Sequence, residues 1–272
     1  MTITIDPETC TGCGTCTEVC TMAIIEQQEE GSLPHLKKEK AATCISCGQC
    51  EVYCPTGAIT QDSPVAGSRA GAGPAATGEI LPGPLGTFMK SRRSIRKYRP
   101  DPVPKETIEA ILDIARYAPS AMNGQPVGWL VISGTEVQKV AGLTVDYMRE
   151  LVKTDHPLST YAPRFIAGWD SGTDVICHRA PHLLVAHIPS DNPMASNDAI
   201  IALTHVDIAA PAFGLGTCWA GLVAMASFSY QPLKDFLALP KGRSPAYAMM
   251  LGYPKYKPHQ IPDRKPLQVT WR

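Results

Sequence analysis

The chain has 272 residues, 44% of them hydrophobic, with 25 acidic residues against 25 lysines and arginines. That length suits one large or two ordinary domains, and the apolar content supports a real core. Zero net charge gives no reason to expect a nucleic-acid partner. It conceals an asymmetry, because residues 1–60 hold eight acids and three lysines while the rest holds 17 acids and 22 lysines and arginines.

In chain order, the first feature is a spacing written twice. Eight of the ten cysteines lie within the first 54 residues. Cys10, Cys13, Cys16 and Cys20 read C-x2-C-x2-C-x3-C, and Cys44, Cys47, Cys50 and Cys54 repeat it, with Pro55 after the last. The segments CTGCGTCTEVCTMAI and CISCGQCEVYCPTGAI form an imperfect repeat, the first having Thr21 in place of the proline and being one residue shorter. A cubane cluster presents four irons, each wanting one thiolate, and three cysteines two residues apart let a tight loop curl around three of them. Zinc sites use paired C-x2-C knuckles with four ligands, which leaves the third cysteine of each run without a role. Disulfides need an oxidising compartment, and the opening MTITIDPETC lacks the basic and apolar regions of a signal peptide. Two [4Fe-4S] clusters and a cytoplasmic location are the expectation. Residues 1–60 resemble the two-cluster bacterial ferredoxins. That resemblance implies that the fourth cysteine of each run serves the other cluster, grouping Cys10, Cys13 and Cys16 with Cys54, and Cys44, Cys47 and Cys50 with Cys20.

Residues 61–87, rich in Gly, Ala, Pro and Ser, read as a linker that is partly extended by its prolines. An α+β domain over 88–272 is expected to follow. Ile108, Ile111, Leu112 and Ala115 mark one face of a helix over 105–117, and WLVIS at 129–133 reads as a buried strand. Thr135 and Gln138 form a capping-box pattern opening a helix to about residue 152. Residues 154–180 read as a long irregular stretch, a lid in which Tyr161, Phe165 and Trp169 offer flat surfaces to a substrate. A strand is expected over 182–188, a helix from an Asn197 cap to about 213, strands at 217–223 and 246–251, and a short helix at 232–238. Residues 208–228 carry no charge, but Pro211, Gly214, Gly216 and Gly221 interrupt them, so no membrane span is expected.

Three segments of this domain carry chemistry. Ser91-Arg92-Arg93-Ser94-Ile95-Arg96-Lys97-Tyr98 sets arginine forks and hydroxyls beside an extended run, donors that match phosphate geometry. Ala118-Pro119-Ser120-Ala121-Met122-Asn123-Gly124-Gln125-Pro126 offers amides that can read the edge of a planar heterocycle. Gly214-Leu215-Gly216-Thr217-Cys218-Trp219-Ala220-Gly221 is a glycine turn that allows backbone to approach a ligand. It is not a dinucleotide fingerprint, because Trp219 stands where the third glycine belongs. Cys177-His178 suggests a nucleophile but reads as an ordinary pair, and Cys218 as a small buried residue.

With Leu251-Gly252-Tyr253-Pro254 and Asp263-Arg264-Lys265-Pro266, these segments resemble the nitroreductase family of flavoproteins, in the same order, over residues 88–272. The resemblance implies an FMN-binding α+β fold and a homodimer with FMN at the subunit interface. It implies that Arg92, Arg93, Ser94 and Arg96 hold the FMN phosphate, ribityl chain and ring carbonyls. Pro119, Ser120, Ala121 and Asn123 would reach the same FMN from the partner subunit, and the backbone at Trp219, Ala220 and Gly221 would line the flavin ring. Arg264, with Lys265, would close on the phosphate; Gln260 stands where many relatives place a further basic residue.

The function expected is an FMN-dependent oxidoreductase in which [4Fe-4S] clusters pass electrons to FMN for reduction of a small electron-poor molecule, a nitro compound being one candidate. The donor would be a ferredoxin-type protein or NAD(P)H. Two alternatives remain open at this point: a dehydrogenase running electrons from substrate through FMN to the clusters, and a non-catalytic redox relay or sensor. No feature demands a catalytic side chain, because FMN can carry the chemistry. No nucleic-acid or membrane partner is expected.

Overall fold

The computed structural model describes residues 3–62, 81–192 and 194–272. The linker reading falls largely on residues 63–80, outside the described residues. The chain divides into two compact units, Met1–Glu79 with Met122–Gly124, and Ile80–Ala121 with Gln125–Arg272.

The first unit holds two small antiparallel ladders. Strand β1 (Ile3–Ile5) pairs with β4 (Ile59–Gln61), and β2 (Ile25–Glu26) pairs with β3 (His35–Leu36). Two short helices, α1 (Thr15–Val19) and α2 (Gln49–Val52), each begin inside a cysteine run. The sequence repeat is also a backbone repeat. Gly14 and Gly48, each following the second cysteine of its run, cap α1 and α2 in the left-handed region at φ 73 and 72. Gly12 and Ser46, each preceding that cysteine, are left-handed too, as are Ala23 and Gly57, three residues past the fourth. The shorter first run therefore closes with the same turn as the second: the Ala23 N–H donates to the Cys20 carbonyl as the Gly57 N–H does to that of Cys54. The core is small, formed by Ile3, Ile24, Ile25 and Ile59 with the buried Cys16 and Cys50. A unit of this size has little apolar surface to bury, so the thiols are part of what holds it together.

The second unit is built on a four-stranded sheet in the order β5-β6-β8-β7, antiparallel at every pair. Its strands are β5 (Gly128–Ser133), β6 (His182–Pro189), β7 (Gly216–Trp219) and β8 (Arg243–Gly252). Side chains alternate along a strand, and β6 shows the result. Leu183 and Val185 enter one core with α5 (Thr135–Leu151), α8 (Gly221–Ser229) and α9 (Gln231–Leu237). Leu184, Ala186 and Ile188 enter a second core with α4 (Lys105–Ala115) and α7 (Ala195–Ala209). Covered on both faces, β6 is apolar from Leu183 to Ala186 rather than alternating, with the buried His182 and His187 on either side.

Several local expectations are corrected. Thr135 lies inside α5 and Gly134 is its N-cap, with no side-chain bond; the Gln138 amide donates to Asp174 instead, at 2.9 Å. Asn197 lies inside α7, which starts at Ala195. Residues 221–223 open α8 rather than extend β7. Residues 82–91, partly assigned to the linker, form helix α3 (Pro82–Ser91), which buries no residue. The stretch 154–180 is not irregular throughout: α6 (Ala162–Asp170) packs on α5, with Phe165 and Trp169 against the core. Asp170 accepts from Arg149 at 2.5 Å, and a side chain at Gly142 would press on the Trp169 ring at 3.3 Å.

Candidate functional site

In the first unit, the thiols gather into two sets. Cys20, Cys44, Cys47 and Cys50 line one hollow, walled by Ile3, Ile24 and Ile25. Cys10, Cys13, Cys16 and Cys54 line another, with Pro34 and Ile59. Each set joins three cysteines of one run to the fourth of the other. Their electrostatics divide in the same way. Burial raises the Cys16 thiol, and Cys10, Cys13 and Cys54 add to the rise. Burial pushes the Cys50 thiol up to about 11, with Cys20, Cys47 and Cys44 adding to it. Cys13 is lowered, chiefly because the Thr15 hydroxyl lies 3.4 Å from its sulfur. Four thiols sharing an apolar hollow repel one another as thiolates, so the group they hold must bring positive charge. Among the described residues no three Cys, His, Asp or Glu side chains are grouped for a single ion. Four thiols arranged around a cavity fit a cubane rather than zinc.

In the second unit, the basic segment is laid against the sheet. The Ile95 N–H donates to the Thr217 carbonyl at 2.8 Å, Ser94 bridges Thr217 in parallel, and Tyr98 bridges Pro254. The close approach requires glycine at 216, where a Cβ would sit 2.4 Å from Ile95 Cγ1. This brings Arg92 to the buried Asp207 of α7. The Arg92 Nη1 lies 3.5 Å from Asp207 Oδ2 and, though buried, has no hydrogen-bond partner among the described residues. The Trp219 Nε1 donates to the same carboxylate oxygen at 3.0 Å, and the Thr217 hydroxyl donates to Asp207 Oδ1. A second buried acid of α7, Asp198, accepts from the Ala121 N–H at 3.1 Å. The loop beyond is strained, with Met122, Asn123 and Gln125 all left-handed without being glycine, a cost that clusters where ligands are held. The Ser120 hydroxyl accepts from the Gln125 N–H at 3.0 Å, and Pro119 is exposed.

The remaining sequence candidates are placed differently. Arg93 turns back to donate to the carbonyls of Ser91 and Lys90. Arg96 lies near Cys218 and lowers its thiol, against the larger upward effect of burial. The Ala220 N–H is used by the sheet, donating to Ala248 at 2.9 Å, and Gly221 opens α8, with its Cβ position 3.0 Å from the Tyr247 hydroxyl. Arg264 and Lys265 lie in the exposed irregular segment after β8, the Arg264 guanidinium donating to the Asp263 carbonyl at 3.4 Å. Cys177 is fully buried and its thiol is pushed far up by burial, which suits packing and not attack. Sequence reasoning missed Asp207 and Asp198. The available signal was an acid on the apolar face of α7, beside Leu203, Val206 and Ala210.

The arrangement offers a buried guanidinium donor, an adjoining indole and a glycine turn: components suited to an anionic, planar ligand. The Nη1 atom without an acceptor fits a ligand that supplies one, and FMN carries both phosphate and carbonyl oxygens. No described helix is long and apolar enough to cross a membrane.

Comparison with known proteins agrees with both units. Residues 9–59 match the model of the 4Fe-4S dicluster domain, and residues 89–253 match that of the nitroreductase family. The chain is 27% identical over 203 residues to an NADH dehydrogenase of Thermus thermophilus, covering 68% of this chain and 95% of that one. It is 40% identical over 71 residues to nitroreductase NfnB of Mycolicibacterium smegmatis, covering 26% of this chain and 30% of that one. The fold is similar to that of a nitroreductase with bound FMN from Bacteroides fragilis (TM-score 0.55, 21% identity, 68% of this chain and 95% of that one). With most of its length in the matched region, the chain belongs to the nitroreductase family and carries a 4Fe-4S dicluster domain ahead of it.

Proposed function

We propose that this protein is an FMN-dependent oxidoreductase in which two [4Fe-4S] clusters bring electrons from an external low-potential donor to the flavin, for delivery to a small electron-poor molecule. The observation that carries this reading is the presence in one chain of two four-thiol cavities and a nitroreductase fold. Cys10, Cys13, Cys16 and Cys54 hold one cluster; Cys20, Cys44, Cys47 and Cys50 hold the other. Arg92 and Ser94 anchor FMN, with Arg93 and Arg96 beside them. The turn at Trp219, Ala220 and Gly221 lines its ring. Pro119, Ser120, Ala121 and Asn123 of a second copy complete the site in a homodimer, and Arg264 with Lys265 closes on the phosphate.

Bound FMN supplies the step between one-electron and two-electron chemistry. The chain's own part is to bind and orient the ring, to offset negative charge on it through Arg92, and to exclude water. Many chemistries share this fold, so the substrate is given only as a class. The test is anaerobic reduction of the purified holoprotein with a ferredoxin-type donor, following flavin and cluster absorbance while acceptors are added. Cluster reduction ahead of flavin reduction, then reoxidation by a small acceptor, is expected. Flavin reduction that leaves the clusters oxidised throughout would sink the proposal.

A further inference from the structure

Asp207 is 5% exposed and follows the buried Leu203 and Val206 on α7. Burying a carboxylate is costly unless donors surround it. Three converge here: the Thr217 hydroxyl on Oδ1, the Trp219 indole N–H at 3.0 Å on Oδ2, and the Arg92 guanidinium at 3.5 Å on the same oxygen. The third contact differs from the others. At 3.5 Å it lies outside the ordinary N–H···O range of about 2.7–3.2 Å. It pairs charges without using the donor, and Nη1 remains buried and unbonded among the described residues. A buried N–H without an acceptor is costly. Here it is kept in place by a carboxylate that also fixes the indole of the glycine turn.

We propose that Asp207 is a positioning residue of the flavin site: it holds the Arg92 guanidinium with Nη1 free for an oxygen of FMN, and sets the Trp219 side chain beside it. This rests on the flavin reading above. The arrangement also has an electrostatic effect. By pairing with Arg92, Asp207 offsets part of its positive charge and so limits how strongly the site favours a negatively charged, reduced flavin.

The experiment uses full-length protein carrying Asp207→Asn, Arg92→Ala or both. FMN affinity is measured by fluorescence and the FMN midpoint potential by spectroelectrochemistry. Asp207→Asn should weaken FMN binding about tenfold, as expected for one misplaced charge-assisted bond. It should also move the flavin potential in the positive direction, because a negative charge has gone, a change that loss of packing alone would not produce. In the Arg92→Ala background the effect on affinity should vanish, since Asp207 acts through Arg92. If Asp207→Asn does not fold, Thr217→Val, which removes only the hydroxyl that orients the carboxylate, should weaken binding by a smaller factor. Tight FMN binding by the unaltered protein with no change in affinity or potential on substitution would overturn this inference alone. So would an Asp207→Asn effect of equal size with and without Arg92. Failure of the unaltered protein to bind FMN would overturn the flavin reading and this one together.

Discussion

At the scale of the residue, the thiol sets yield the most direct prediction. Cys20→Ala should cost the cluster held mainly by Cys44, Cys47 and Cys50, because Cys20 shares their cavity and not that of its own run. Iron and sulfide analysis with EPR would check this; loss of the Cys10-Cys13-Cys16 cluster instead would show the sets uncrossed. A second prediction concerns pH. The His182 Nε2 accepts from the Val103 N–H at 2.8 Å, which places its ring proton on Nδ1, 2.7 Å from the Ser133 hydroxyl. Burial lowers its pKa, and that of His187, which accepts from Arg243 at 2.9 Å. Both are held neutral, so the unfolded chain takes up protons more readily. Their stabilising effect is therefore complete above the unfolded value of about 6.5 and is lost as pH falls below it. Melting temperature should drop between pH 7 and pH 5.5, and His182→Gln should flatten that slope; an unchanged slope would remove His182 from the account. The eight thiols could be read from spacing alone, because cluster chemistry dictates that spacing. Asp207 could not, because its role depends on Arg92, just past α3, and on Thr217 and Trp219 of β7 meeting α7.

At the scale of the element, backbone geometry sets limits that composition does not show. Gly12 lies at φ +67, and a Cβ there would stand 2.3 Å from the Gly31 carbonyl oxygen, a backbone atom that cannot turn aside. Gly12→Ala should destabilise the first unit by more than about 1–2 kcal/mol, the cost of the left-handed conformation alone. Chemical denaturation of the holoprotein would measure it, and a change below 0.5 kcal/mol, the usual range for a surface substitution, would mean that the loop moves freely. The apolar patterns of α4 and β6 were legible; β5 forms where WLVIS predicts a strand but buries only Ile132, and α5 runs where it was expected although its capping pattern is not used. The failures have different causes. In α8, mean hydropathy is high on every side, so no period distinguishes helix from buried strand. In α6, Pro163 and Gly168 look like loop residues, yet proline is accepted in a first helical turn, and Gly168 lies where a side chain would meet Val175 at 2.9 Å.

At the scale of the whole molecule, the two units make separate demands that one experiment can part. Removing residues 1–60 should leave a protein that binds FMN and accepts a chemical reductant but is no longer reduced by a ferredoxin-type donor. Equal rates with and without those residues would show that the thiol unit is not the entry route. Division into a cysteine-rich unit and a nitroreductase unit was legible because each carries its own motifs; how tightly α3 or the C-terminal segment is held depends on contacts that no motif encodes. The sharing of thiols between the two runs also bears on how the chain matures. As synthesis proceeds, the first run leaves the ribosome with three thiols of one set and a single thiol of the other. Neither set is filled until the second run follows: one closes at Cys50 and the other at Cys54. A nascent chain halted between the runs would thus present two incomplete ligand sets rather than one finished centre. With the ligand sets proposed above, both centres would become possible within a few residues of each other, and cluster delivery would have a single window that opens only once the whole repeat has been made.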